Sequence, residues 1–439
     1  MKKRTTMAVV AAGVCIPLAA WLALGRGGSE PLLIATAVAQ PLDLEVRNRD
    51  IEFFEARAKA DPYSGSDRGR LAYLYLQRGR ETGEYEDYRR AETAARASLA
   101  ARTHRNEGAY LTLASSQLAQ HHFADALQAA RELVAMAPDQ PSYLALLGEL
   151  QLEMGDYVGA RATFGALEPA RANLAVAPRL ARWDELNGRT VQARNTLVRA
   201  ARDADSRGDL PREQAAWFHL RVADLESRSG RLDAAEREFA AGLRANPGDA
   251  RMYAGLARVE WLRGEWERAL AYGEAAGDRA DISTLAVMGD AAAELGRAAD
   301  AEAWYGKAEA SAAATPEPYN RQWTAFRLDH GRHLAETRAL LEREIAGRKD
   351  VLGYDMLAWA RFRVGDVAGA RVAMGRALAM GTPDPTFHFH AGMIERAAGN
   401  PAGAREHLEK ALDINPRFHP RFAAVARAVL NDRPLPESW

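Results

Sequence analysis

Glycine returns along this chain at a nearly constant interval, and that interval restricts the fold more than any other property. Gly155, Gly188, Gly230, Gly264, Gly296, Gly331, Gly365 and Gly399 are separated by 33, 42, 34, 32, 35, 34 and 34 residues. Five positions after each stand Ala160, Ala193, Ala235, Ala269, Ala301, Glu336, Ala370 and Ala404, so the slot holds Ala in seven of eight cases. A period of this length implies stacked helical hairpins. Glycine closes the first helix because it tolerates the left-handed backbone of a tight turn. Alanine in the second helix lets the two cross closely, and apolar residues at helical spacing form the buried seam. Pro138, Pro247 and Pro416 fall where a second helix must stop. Such an array offers an extended surface for holding something.

The clearest copy is YLALLGELQLEMGDYVGARATFGAL at residues 143–167, with others at 253–276 and 354–378. The pattern resembles the tetratricopeptide repeat (TPR). Tyr143 and Leu144 straddle its first position, followed by Leu147-Gly148, Ala160, Phe164 and Leu167. In the copy at 216–249 the matches are Ala235, Phe239 and Pro247. The resemblance covers about residues 64–418 and some ten units. It implies an all-α fold, a right-handed α-solenoid of about ten TPR-like hairpins, preceded by an N-terminal apolar helix.

Two stretches break the rhythm. GRETGEYEDY at 79–88 lengthens the first hairpin, and DADSRGDLPREQA at 203–215 adds about eight residues between units. The expected organisation is a signal peptide or transmembrane anchor (1–25) and a linker with some helix (26–62). An N-terminal array (63–203), an insertion loop (204–215) and a C-terminal array (216–418) follow, and a capping helix and tail (419–439) close the chain.

The N-terminus reads as an export signal. MKKRTT precedes eighteen uncharged residues (7–24) and a polar break. Cleavage after Gly25 and retention as an anchor both fit, since eighteen apolar residues just span a bilayer core. Either way the positive-inside rule places the repeats outside the inner membrane. The single cysteine, Cys15, lies in that stretch, so no disulfide forms within the chain. With 58 basic and 59 acidic residues the net charge is −1, which gives no general attraction to nucleic acid.

No catalytic or cofactor signature is present: no G-x-S-x-G, phosphate loop, H-E-x-x-H or C-x-x-C. No catalytic, cofactor or metal residue is therefore assigned. Histidines gather toward the C-terminus at His330, His333, His388, His390, His407 and His419. They read first as packing residues, with a metal site through His390 and His407 as the alternative.

In TPR proteins the first helix of each unit lines the concave face. Mapping the motif places Arg258, Trp261, Arg321, Trp359, Phe362, Arg363, Phe389, Met393 and Arg396 near it. Trp and Arg dominate binding hot spots, although large aromatics are also core residues. The Lys and Asn positions of the family's two-carboxylate clamp are missing here. The resulting expectation is a non-enzymatic scaffold for a protein or peptide partner, tethered to or secreted across the inner membrane. The alternative is a small-ligand or metal-binding accessory protein of a transporter.

Overall fold

A computed structural model describes residues 42–314 and 320–435. The apolar segment at 7–24 lies outside these residues. Among the described residues there are 22 α-helices and no strand, and no helix is long and apolar enough to cross a membrane.

A leading helix α1 (Leu42–Ala60) packs on the first of ten hairpins. The first five pair α2 (Gly65–Thr82) with α3 (Tyr85–Ala101), α4 (Glu107–Ala119) with α5 (Phe123–Met136), α6 (Pro141–Glu153) with α7 (Tyr157–Leu167), α8 (Ala177–Leu186) with α9 (Thr190–Asp205), and α10 (Arg212–Arg228) with α11 (Leu232–Ala245). The next two pair α12 (Ala250–Arg263) with α13 (Trp266–Ala276), and α14 (Ile282–Glu294) with α15 (Ala298–Ala314). The last three pair α16 (Arg321–Asp329) with α17 (Leu334–Gly347), α18 (Val351–Arg363) with α19 (Val367–Ala377), and α20 (Pro385–Ala397) with α21 (Pro401–Ile414). A final helix, α22 (Pro420–Leu430), stands where the first helix of an eleventh unit would stand. The array is therefore an α-solenoid of ten units.

The local rules that set the period hold along the chain. All eight ruler glycines have positive φ, from +68° at Gly331 to +87° at Gly365. The seven alanines five residues later are at most 3% exposed. Glu336 is exposed, because His333 adds a left-handed residue (φ 49°) and delays α17 by one position. Thr337, one residue later, fills the buried slot. Asp156, Asp281, Asp350, Asp366 and Asp384 cap the helices that follow them, each accepting from a free backbone N–H.

Successive first helices pack on one another, as α6 on α8, α10 on α12 and α12 on α14, whereas successive second helices lie farther apart. The first helices thus form the inner layer. The stretch expected as an insertion loop is half helix: α9 runs to Asp205, α10 begins at Arg212, and the loop itself is residues 206–211. Both helices are longer than most of their counterparts. Ala200 and Ala204 pack in one cluster with Phe218 and Val222, so the core continues across the junction.

The coil also closes on itself. The hairpin tip after α6 meets the junction between α17 and α18, where the Lys349 N–H donates to Met154 O (3.3 Å) and the Val351 N–H to the Tyr157 hydroxyl (2.7 Å). One unit later, Thr382 Oγ1 donates to Leu186 O at 2.9 Å. Another unit on, the Asn415 amide donates to Ser227 O (3.3 Å) and Arg228 O (3.2 Å). Toward the N-terminus, Arg279 reaches Glu81 O at 3.2 Å. In every case a tip meets the junction five to six units onward, so each turn of the superhelix rests on the previous one.

Six charges anchor this seam. Glu153 pairs with Arg348 and, at 2.5 Å, with Arg182. Arg321 bridges Asp350 (2.5 Å) and Glu344 (2.9 Å), and the Arg348 guanidinium lies 4.0 Å over the Phe123 ring. Burial would raise the Glu153 carboxyl, but Arg182, Arg348 and Arg321 bring it down to about 2. Three cations and three anions balance, which is what makes so many buried charges tolerable.

Candidate partner-binding face

Helical spacing lines up one set of side chains on the inner layer of α8, α10 and α12. Arg179 and Arg182 are one turn apart on α8; Trp217, Arg221, Asp224 and Arg228 follow each other along α10; Arg258 lies on α12. Trp217 is half-buried, with the Arg221 guanidinium 6.0 Å from its ring. A cavity of about 170 Å³ sits against Glu149, Arg179, Arg182, Trp217 and Arg221. A larger cleft of about 440 Å³ shares Arg182 and Arg221 and extends past Arg228 to Thr382, Asp384 and Ile414. Its walls come from two successive superhelical turns.

The charges here are unevenly matched. Arg179 pairs with Glu149 at 2.6 Å, and Arg228 holds Glu185 through two nitrogens at 2.8 and 3.0 Å. Arg221 has its nearest carboxylate, Asp224, at 3.8 Å. Arg258 is exposed and has neither a carboxylate at ion-pair distance nor a hydrogen-bond partner among the described residues. Arg221 lines both cavities and is partly desolvated there, which lowers its pKa; desolvation by the neighbouring helices lowers that of Arg258 as well, although its side chain stays exposed and lines neither cavity. Asp384 makes no ion pair with either; its carboxylate caps α20, accepting from Thr386 (2.8 Å) and Phe387 (3.3 Å), and acts on Arg258 only through its charge at longer range. Burial and the nearby Asp355 push its pKa up.

The residues expected to carry binding fare differently. Arg258 shares the face just described. Trp359 (1% exposed), Phe389 (0%) and Met393 (2%) belong to the core and offer a partner no surface. The reason is α22: Phe389 stacks on Phe422 at 4.6 Å, and the Trp359 ring meets Phe422 edge-on at 6.0 Å. Trp261 is 7% exposed, its ring against His419 of α22 at 4.7 Å. Phe362 stacks on Trp359 at 5.0 Å, and Arg363 donates to Leu328 O at 2.5 Å. Arg321 is held in the six-charge seam. Arg396 is exposed near the end of α20, next to the outer turn. Trp217, Arg179, Arg182, Arg221 and Arg228 were missed. The Trp217–Arg221 pair, one helical turn apart on a first helix, was the available signal.

The histidines also take separate roles. His390 lies against Asp355 (2.9 Å) and stacks on Trp359 at 4.1 Å, while the Nδ1 atoms of His388 and His407 face each other at 3.0 Å. Burial and His407 drop the His388 pKa to about 4. His330 sits 2.8 Å from Asp290; burial would lower its pKa, but this bond raises it. His390 and His407 are not brought together, and among the described residues no three His, Cys, Asp or Glu side chains are grouped to hold a metal ion.

Comparison with known proteins agrees with the architecture. The tetratricopeptide repeat family model matches residues 111–175, 221–281 and 356–417. No curated protein matches the chain. Solved structures similar to it include a tetratricopeptide repeat protein from Parabacteroides merdae, at 17% identity and TM-score 0.39, covering 56% of this chain and 93% of that one. PilF of Pseudomonas aeruginosa is similar at 16% identity and TM-score 0.37, covering 50% and 96%. The APC/C hetero-tetramer Cut9–Hcn1 is similar at 12% identity and TM-score 0.34, covering 89% and 94%. The three matched regions, together 188 of the 439 residues (65, 61 and 62), are therefore tetratricopeptide repeats, and they fall within an array of ten helical hairpins, eight of which carry the ruler glycine.

Proposed function

We propose that this chain is a non-enzymatic scaffold that binds a protein or peptide partner through the inner face of α8, α10 and α12. The observation that carries this reading is the alignment of Trp217 with Arg179, Arg182 and Arg221 along a cleft. A half-exposed Trp flanked by arginines has the composition of an interface hot spot. The same proposal places the repeats on the outer side of a bacterial inner membrane, tethered or released, on the strength of the charged, apolar and polar succession in residues 1–25. There the scaffold would serve envelope assembly, secretion or transport.

A photo-crosslinking residue at position 217, in cells, tests the binding face. A defined adduct is expected there and not from position 191, an exposed residue on a second helix. Identical adduct patterns from both positions would remove the reading. A C-terminal reporter active only outside the cytoplasm tests the compartment, and activity of a cytoplasmic reporter instead would overturn it.

A further inference from the structure

The 440 Å³ cleft is bounded on both sides by contacts between superhelical turns. Leu186 and Thr382 line it, and the Thr382–Leu186 hydrogen bond closes one end. Arg228 and Ile414 line it, and Asn415, next in sequence to Ile414, donates to Arg228 O at the other end. Neither turn forms this space alone. An open coil would leave Arg182, Arg221 and Arg228 on one wall, with Asp384 and Pro385 carried away.

The charge inventory then specifies what fits. Arg179, Arg182 and Arg228 each have a carboxylate within 2.8 Å. Arg221 and Arg258 do not, and Asp384 is held by the α20 backbone. The Arg221 guanidinium inside the cleft, with Arg258 exposed beside it on the next first helix, favours an anion that arrives with its own hydrogen-bond acceptors, and a carboxylate matches the guanidinium fork. The neighbouring Trp217 and the continuation into the 170 Å³ cavity extend the site along α8 and α10, as an elongated ligand requires.

We propose that this cleft is a slot for an extended, carboxylate-bearing peptide segment, assembled only while the coil is closed. The proposal rests on the scaffold reading and names the chemistry of its partner. Binding and closure are then linked: whatever loosens the seam weakens the ligand, and the ligand tightens the seam.

The test uses the full-length protein and fluorescence anisotropy with two labelled decapeptides, one of alternating Ser and Glu, the other of alternating Ser and Gln. The acidic peptide is expected to bind about tenfold tighter. The double variant Arg221→Gln/Arg258→Gln should abolish that preference with an unchanged circular dichroism spectrum. Asn415→Ala, which touches no part of the cation pair, should weaken the acidic peptide about threefold and speed amide exchange at residues 227–230. Equal binding of both peptides overturns the proposal, as does an Asn415→Ala protein with undiminished affinity. Competition by inorganic phosphate as strong as that of the acidic peptide also overturns it, by showing a simple anion site. A defined adduct at position 217 with no charge preference overturns this inference alone and leaves the scaffold reading standing.

Discussion

Two stretches of the inner layer carry similar residues and have opposite fates. On α8 and α10, Arg182, Trp217 and Arg221 line open cavities, and Arg258 is exposed on the adjacent α12. On α18 and α20, Trp359, Phe389 and Met393 are sealed, with Phe422 of α22 laid against the two rings. The difference does not lie in composition. It lies in where each side chain points on its helix and in whether a following first helix covers it. An aromatic facing its neighbour helix is core; one facing the axis of the coil is available.

Substitutions should separate the two faces sharply. Trp359→Ala is expected to destabilise the last units by about 4 kcal/mol, as for a buried large aromatic, and Trp217→Ala by under about 1 kcal/mol. Because units in such arrays open separately, hydrogen exchange over α18–α22 is the appropriate reading. Equal losses would show that Trp217 is core as well. Next in size comes the seam between turns. Arg348→Met leaves Glu153 short of a buried partner and should cost about 3 kcal/mol, with faster exchange near both 153–157 and 348–352. Protection lost on one side only would mean that the two turns are not coupled there.

Acid should discriminate further. Burial, with Arg421 adding to it, depresses the His419 pKa to about 3, while Asp290 opposes and His330 and Arg258 reinforce the shift. The unfolded chain therefore binds the extra proton below about pH 6.5, and stability at the α22–α12 contact falls as pH drops toward 3. At pH 5 the loss is about 2 kcal/mol. His419→Gln should flatten this slope. His330 works in the other direction: its raised pKa contributes fully below pH 6.5, and that contribution is lost as pH rises through the folded value. Glu153, held near 2, contributes fully above about pH 4.5 and loses that contribution progressively as pH falls from there to 2. Thermal scans from pH 8 to 3 check all three. A histidine variant whose curve parallels the parent's would remove the first.

The smallest effect is a pairwise one. Gly155 and Gly296 share the same left-handed backbone, φ +75° and +73°. A Cβ at Gly296 meets nothing, whereas one at Gly155 would come within 2.3 Å of Lys349 O. Gly296→Ala should cost about 1 kcal/mol from backbone strain alone. Gly155→Ala should cost measurably more, and equal costs would show that the tip and junction do not press together.

Much of this was legible from the residues themselves. The Gly ruler located eight hairpin tips, and the Ala slot located the helix crossings, because both depend on contacts within one unit. Glu336 was legible as an exception but not in its cause, since the extra left-handed His333 leaves no signal in spacing. The binding face was harder. Trp359 and Trp217 are both Trp on first helices, and only the position of α22, fixed by contacts through Phe422, decides between them. The seam was not legible at all: Glu153 and Arg348 are 195 residues apart, and each looks like an ordinary surface charge.

The regular spacing of that seam has a consequence for how the gene could change. Thr382 and Leu186 are 196 residues apart, while Asn415 and Ser227 are 188 apart. The difference, 196 − 188 = 8, is the length by which the gap from Gly188 to Gly230 exceeds the usual 34 residues (42 − 34 = 8). Lengthening two helices therefore left every tip facing its own junction. Adding or deleting a whole unit inside the overlapping region would not. It would shift by one junction every tip whose partner lies beyond the change, pairing Gly155 with residues that have no Arg348. Duplication, the ordinary route by which repeat arrays grow, is thus open to this one only at its ends.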